Sequence, residues 1–143
     1  MTVSAILADK GREVVTIGAA ETIADAVGVL ARRKIGAVVV VEANGRIAGI
    51  VSERDIVRAF AASAGAALAE PLASIMTRAV ITCSEGETID SVMSRMTRGR
   101  FRHLPVVTSG KLSGIISIGD VVKARIGQVE REAEEMRAYI ATA

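Results

Sequence analysis

The chain has few aromatic residues: two Phe, one Tyr and no Trp among 143 residues. A core without large rings must be filled by Val, Ile, Leu, Ala and Met, and half of the residues are hydrophobic. So few rings also leave little on which single-stranded bases stack. There is one cysteine, Cys83, which excludes an internal disulfide and a CxxC zinc pair. A lone cysteine fits a reducing compartment and has no second thiol to resolve an oxidised one. There is one histidine, His103, and no HxxxH, Walker A or GxGxxG sequence. Hydrolysis or group transfer needs a base, a nucleophile or a metal cluster, so the expectation is a protein that is not an enzyme. Excess charge is also missing. Eighteen basic against sixteen acidic residues leave +2, with no basic stripe for nucleic acid. Apolar runs are strand-sized, short of the ~20 residues of a membrane helix. The first ten residues lack the charged start and apolar run of a signal peptide. A soluble, cytoplasmic protein is expected, with no nucleic-acid or membrane partner.

What the chain does have is a repeat. Glu21-Thr22-Ile23 returns as Glu87-Thr88-Ile89, 66 positions on, and Ile35 to Val41 returns as Phe101 to Val107. After a shorter second turn, Gly49-Ile-Val-Ser52-Glu-Arg-Asp55 returns as Gly114-Ile-Ile-Ser117-Ile-Gly-Asp120, 65 positions on. The leaders also match, Val3 to Leu7 with Leu72 to Met76. Each copy reads as a short strand (14–17; 80–83) and a helix capped by Thr22 or Thr88. Two strands follow (37–41 and 47–51; 104–107 and 112–116), then a helix starting near Asp55 or Asp120. Asn44-Gly45 signals a hairpin, since both residues tolerate positive φ. Met76, Met93 and Met96 read as core filling. The expected fold is mixed α+β, two β-α-β-β-α units packed face to face with pseudo-two-fold symmetry. The expected division is 1–70 for the first repeat with its leader, 71–126 for the second, and 127–143 for a C-terminal amphipathic helix. Val122, Ile126, Val129, Ala133, Met136 and Ile140 step by four and three, a heptad seam that serves either its own domain or a dimer.

The doubled Gly-hydrophobic-hydrophobic-Ser-x-x-Asp, with the strand entry Arg100-Phe-Arg102-His103-Leu104-Pro105-Val106, resembles the cystathionine-β-synthase (CBS) domain. Two in tandem resemble the module called a Bateman pair, over about residues 3–126. On chemistry alone, a helix N-terminus attracts phosphate and a nearby Ser hydroxyl can donate to it. Asp55 and Asp120 are either ribose acceptors or helix caps.

The resemblance implies AMP, ADP, ATP, NAD(H) or another adenosyl ligand in clefts between the repeats, with Asp55 and Asp120 on ribose. It implies phosphate contacts from Ser52, Ser117, Arg102 and His103, and the neighbouring basic residues Lys34 and Arg54 are further candidates. It places adenine and the cleft wall near Ile17, Gly36, Ala37 and Val38 in the first copy. In the second it places them near Thr82, Cys83, Leu104 and Pro105, with Ile118 and Gly119. The first copy has Gly36-Ala37 where the second has Arg102-His103, so the two clefts are expected to differ. No catalytic cofactor or metal is expected. The implied function is a regulatory module, a homodimer, that signals to a separate protein. The alternatives are a structural dimerisation protein with degenerate clefts and a binder of S-adenosylmethionine.

Overall fold

The computed structural model describes residues 1–142. In chain order it has α1 (Val3–Lys10), β1 (Thr16–Gly18), α2 (Ile23–Arg33), β2 (Ala37–Val41), β3 (Ile47–Ser52) and α3 (Glu53–Ser63). Two 3-10 turns, Ala64–Ala69 and Leu72–Ser74, lead to α4 (Ile89–Gly99), β4 (His103–Thr108), β5 (Lys111–Ser117) and α5 (Ile118–Thr142). This is the mixed α+β repeat that the sequence implies.

The chain forms two units, and they are not the two halves of the sequence. One contains residues 14–81; the other contains residues 1–13 together with 82–143. The leader expected with the first repeat packs in the unit of the second. Helix α1 supplies Val3, Ile6 and Leu7 to the core built from the second copy, with Ile89, Val92, Leu104, Val106 and Ile116. The leader of the second copy does the converse. Leu72 and Met76 join Ile23, Leu30, Val38 and Val51 in the core of the first. Each exchange is fastened by backbone bonds. Val3 N donates to Glu87 O at 2.9 Å, while Ile50 and Thr77 exchange two bonds of 3.0 Å.

The exchange explains the glycine of the repeated motif. A Cβ on Gly49 would lie 2.8 Å from the Thr77 carbonyl oxygen and 2.8 Å from Met76 Sδ. A Cβ on Gly114 would lie 2.7 Å from Leu7 Cδ2. In both units the leader packs onto the strand that carries the motif, and a side chain at either glycine would force the leader to shift.

In the first unit, β1-β2-β3 form one sheet, with β1 parallel and β3 antiparallel to β2. In the second unit β4 and β5 pair antiparallel. The expected strand at residues 80–83 is reduced to one parallel bridge, Cys83 with Val106. Too little of that segment lies alongside β4 to make a ladder.

The expected hairpin at Asn44-Gly45 joins β2 to β3. Asn44 does not have positive φ; only Gly45 does, at 83°. The Asn44 side chain instead accepts from Arg46 N at 3.0 Å, an Asx-type closure. The turn with two positive φ values is the other one, Ser109 at 50° and Gly110 at 76°, the geometry of a tight two-residue hairpin. The C-terminal helix does not begin at 127. It is the end of α5, which runs unbroken through Gly127 for 25 residues.

Candidate functional site

Each repeated motif sits where a half-buried strand delivers the chain into a helix. In the first unit Ser52 is the N-cap of α3 and Asp55 is its third residue, joined in a reciprocal capping box. Asp55 Oδ2 accepts from Ser52 N at 2.8 Å and from Ser52 Oγ at 3.1 Å, and Asp55 N donates back to Ser52 Oγ at 3.4 Å. In the second unit Asp120 Oδ2 accepts from Ser117 N at 2.8 Å, and Asp120 N donates to Ser117 Oγ at 3.2 Å. The aspartates are thus capping-box residues, one turn inside the N-cap. Thr22 and Asp25 make the same box at the start of α2, so Ser/Thr-x-x-Asp by itself is a way of starting a helix.

The distinctive features lie around the box. The amide of the first helical residue is held by the preceding strand entry: Glu53 N donates to Gly36 O at 3.0 Å, and Ile118 N donates to Arg102 O at 2.8 Å. Ala37 is opposite Ser52 in register, and His103 is opposite Ser117. So Gly36 and Ala37 stand at the mouth of α3, and Arg102 and His103 at the mouth of α5, with Gly119 exposed beside them. Only Oδ2 of each aspartate takes part in the box. Oδ1 remains as an acceptor, so capping and holding a ribose hydroxyl are compatible.

The two motifs are not equivalent. Lys10, at the end of α1, donates from Nζ to Asp120 Oδ2 at 2.7 Å and to the Ile115 carbonyl at 3.0 Å. In the matched leader the corresponding position is Ala79, and the carboxylate of Asp55 is bonded by Ser52. Burial works to raise the pKa of Asp120, but the bonds from Lys10 and Ser117 outweigh it and hold the carboxyl below its ordinary value.

Two basic residues occupy matched corners. Lys34 ends α2 and Arg100 ends α4, both left-handed, with φ of 54° and 55°. Lys34, Arg54 and Arg102 are exposed and His103 is half-buried.

The wall candidates are placed differently. The side chains of Ile17, Val38, Cys83 and Leu104 lie in the hydrophobic cores of their own units, and Ala37 and Pro105 are buried. Whatever these six contribute to a ligand comes through the backbone or by shaping the strand. Thr82, Ile118 and Gly36 are half-buried. The Thr82 carbonyl accepts from Arg95 at 2.7 Å, and Arg95 also pairs with Glu87 at 2.7 Å. Burial first, and Glu87 second, push the Cys83 thiol up to about 11. It is a packing residue with little thiolate at neutral pH. No group of three or more His, Cys, Asp or Glu suited to a metal occurs among the described residues.

The contact of Lys10 with Asp120 and the left-handed corner at Arg100 were not visible from the sequence. Lys10 is 110 positions from Asp120, and only the matched leaders hint that α1 serves the other copy. Arg100 lies in the strand-entry motif, but its left-handed corner position needs the backbone to be seen.

The CBS-domain family model matches residues 4–62 and 72–127. Among curated proteins, the chain is 33% identical over 124 residues to the mitochondrial CBS domain-containing protein CBSX3 of Arabidopsis thaliana. That match covers 84% of this chain and spans 60% of the relative's length. Among solved structures, a CBS-domain-containing protein from Agrobacterium tumefaciens is 50% identical, with TM-score 0.85, over 87% of this chain and 92% of that one. A CBS domain protein of Pyrobaculum aerophilum, complexed with AMP, is 30% identical with TM-score 0.75, over 84% and 89% of the two chains. The CBS domain pair of protein MJ0100, in complex with 5′-methylthioadenosine and S-adenosyl-L-methionine, is 27% identical with TM-score 0.80, over 90% and 98%.

Proposed function

The chain belongs to the CBS-domain family, and from that premise we propose that it is a non-catalytic regulatory module that binds an adenosine nucleotide and acts as a homodimer on a separate protein. The observation that carries the ligand reading is the repeated capping box with one carboxylate oxygen left over, at Asp55 and again at Asp120. A ribose hydroxyl donates to that oxygen without disturbing the helix start. Phosphate is favoured over the cationic sulfonium of S-adenosylmethionine by the basic residues nearby: Lys34, Arg54, Arg100, Arg102 and His103. AMP, ADP, ATP and NAD(H) all offer the ribose and a phosphate, and two relatives of known structure hold adenosyl ligands. The homodimer reading is supported by two valines at matched positions of the repeat, Val57 on α3 and Val122 on α5, both exposed.

Thermal unfolding against AMP, ADP, ATP, NAD⁺, NADH and S-adenosylmethionine, with GMP as control, tests the reading. A ligand at a hundred times its Kd adds about 2.7 kcal/mol, a rise of roughly 5–10 °C for a chain of this size. A rise with a phosphate-bearing adenosine ligand and none with GMP is expected. A rise with S-adenosylmethionine alone would replace the nucleotide by the sulfonium ligand. No rise with any of them would leave the structural dimer.

A further inference from the structure

The last six turns of α5 carry an apolar stripe that nothing among the described residues covers. Val122, Ile126, Val129, Met136 and Ile140 are all exposed, Ile126 at 53% and Ile140 at 66%, while Ala133 is half-buried. They follow the heptad order d-a-d-a-d-a, so the stripe is the narrow seam of a coiled coil rather than the wide face of a helix on a globular core. Gly127, the weakest helix former, falls outside the seam at position b.

We propose that this seam pairs with the same segment of a second copy as a parallel, in-register, two-stranded coiled coil. The proposal deepens the homodimer part of the proposed function and rests on it. The charges flanking the seam select the arrangement. The g positions are Arg125, Glu132 and Tyr139; the e positions are Lys123, Glu130 and Arg137. In a parallel pair each g residue meets the e residue five positions later on the other copy. Arg125 then meets Glu130, and Glu132 meets Arg137. Both pairs are attractive, and each occurs twice by symmetry. Arg125 is available for this, since its present ion pair is with exposed Asp90 at 3.3 Å.

The antiparallel pair that matches all six seam residues sets Ile126 against Met136 and Ala133 against Val129. It brings Glu130 to Glu130, Glu132 to Glu132 and Lys123 to Arg137, all repulsive. Sliding it by one heptad restores attraction between Lys123 and Glu130 but leaves Met136 and Ile140 unpaired. Only the parallel arrangement satisfies the whole seam and its charges together.

Self-cross-linking of the full chain tests this. In a parallel pair, Met136 faces its own copy at a d position, close enough for a disulfide. Met136→Cys is exposed and leaves the core untouched, and the wild-type chain, whose Cys83 is buried, is the control. The expected result is twice the chain mass by sedimentation, and rapid oxidation of the variant to a covalent dimer while the control stays uncrosslinked. Twice the chain mass with no self-link at 136 overturns the coiled coil and leaves the homodimer. A link formed only when Met136→Cys is mixed with Ile126→Cys overturns the parallel arrangement in favour of the antiparallel one. A mass of one chain overturns both the coiled coil and the homodimer.

Discussion

Asp120 holds three things at once: the start of α5, the end of α1 through Lys10, and a spare oxygen. Its carboxyl titrates below the ordinary value, so the sign of its pH effect is fixed. A group whose pKa is lower folded than unfolded stabilises the protein above the unfolded pKa, near 4, and loses that contribution as pH falls through the folded pKa. Lys10→Met removes one cause of the lowering. The variant is expected to melt below the wild type at pH 7, and the gap is expected to shrink as pH falls below about 4. Carboxyl NMR should show the Asp120 titration moving up. An equal gap at pH 3 and pH 7 would mean that Lys10 acts by packing alone. At this scale the sequence was half legible. The Ser-x-x-Asp pairs and Arg102-His103 stood out because they recur or cluster along the chain. Lys10 did not, because its partner is brought to it by the exchange of leaders. The sequence also left open whether the aspartates cap or bind; the box uses only one oxygen, so the two roles are compatible.

At the scale of elements, the exchanged leaders make a prediction that separates two glycines of the same motif. Gly49→Ala drives a methyl into the backbone carbonyl, at 2.8 Å, of Thr77, a residue whose N and O each hydrogen-bond Ile50 of β3. Gly114→Ala meets the end of the Leu7 side chain, which yields more readily than backbone by repacking within its core. Overpacking costs about 1–3 kcal/mol; Gly49→Ala is expected near the top of that range and Gly114→Ala near the bottom, by urea unfolding. Equal costs would mean that the leader at Thr77 yields as easily as a side chain. Most elements were readable because each has one clear pattern: residues 38–41 are an unbroken β-branched run, and α2 carries Ile23, Ala26 and Leu30 on one face. The 80–83 strand was misjudged because composition reports strand preference and not a partner to pair with. The hairpin at Asn44-Gly45 was legible, although only Gly45 takes positive φ, while the Asn44 side chain makes a local bond that its residue type also permits.

For the whole molecule, the family relation accounts for the fold of both repeats, and the chain spans only part of the length of its relative CBSX3. Regulation requires that a ligand bind one arrangement of the chain better than another; tight binding alone shifts nothing. The sequence carried the repeat, and with it the family, because two motifs in register are hard to reach by chance. It did not carry the true partition into units, since matched leaders look alike whichever copy they join.

The most direct test is a calorimetric titration of AMP into the wild type and into the Asp55→Ala, Asp120→Ala double variant, with melting curves to show that the variant folds. Losing a cap costs about 1 kcal/mol of stability, while losing a hydrogen bond to a charged group costs about 1.5–3 kcal/mol of binding. The account predicts saturable binding by the wild type and a Kd at least about tenfold weaker in the folded variant. A folded variant that binds AMP as well as the wild type would contradict it.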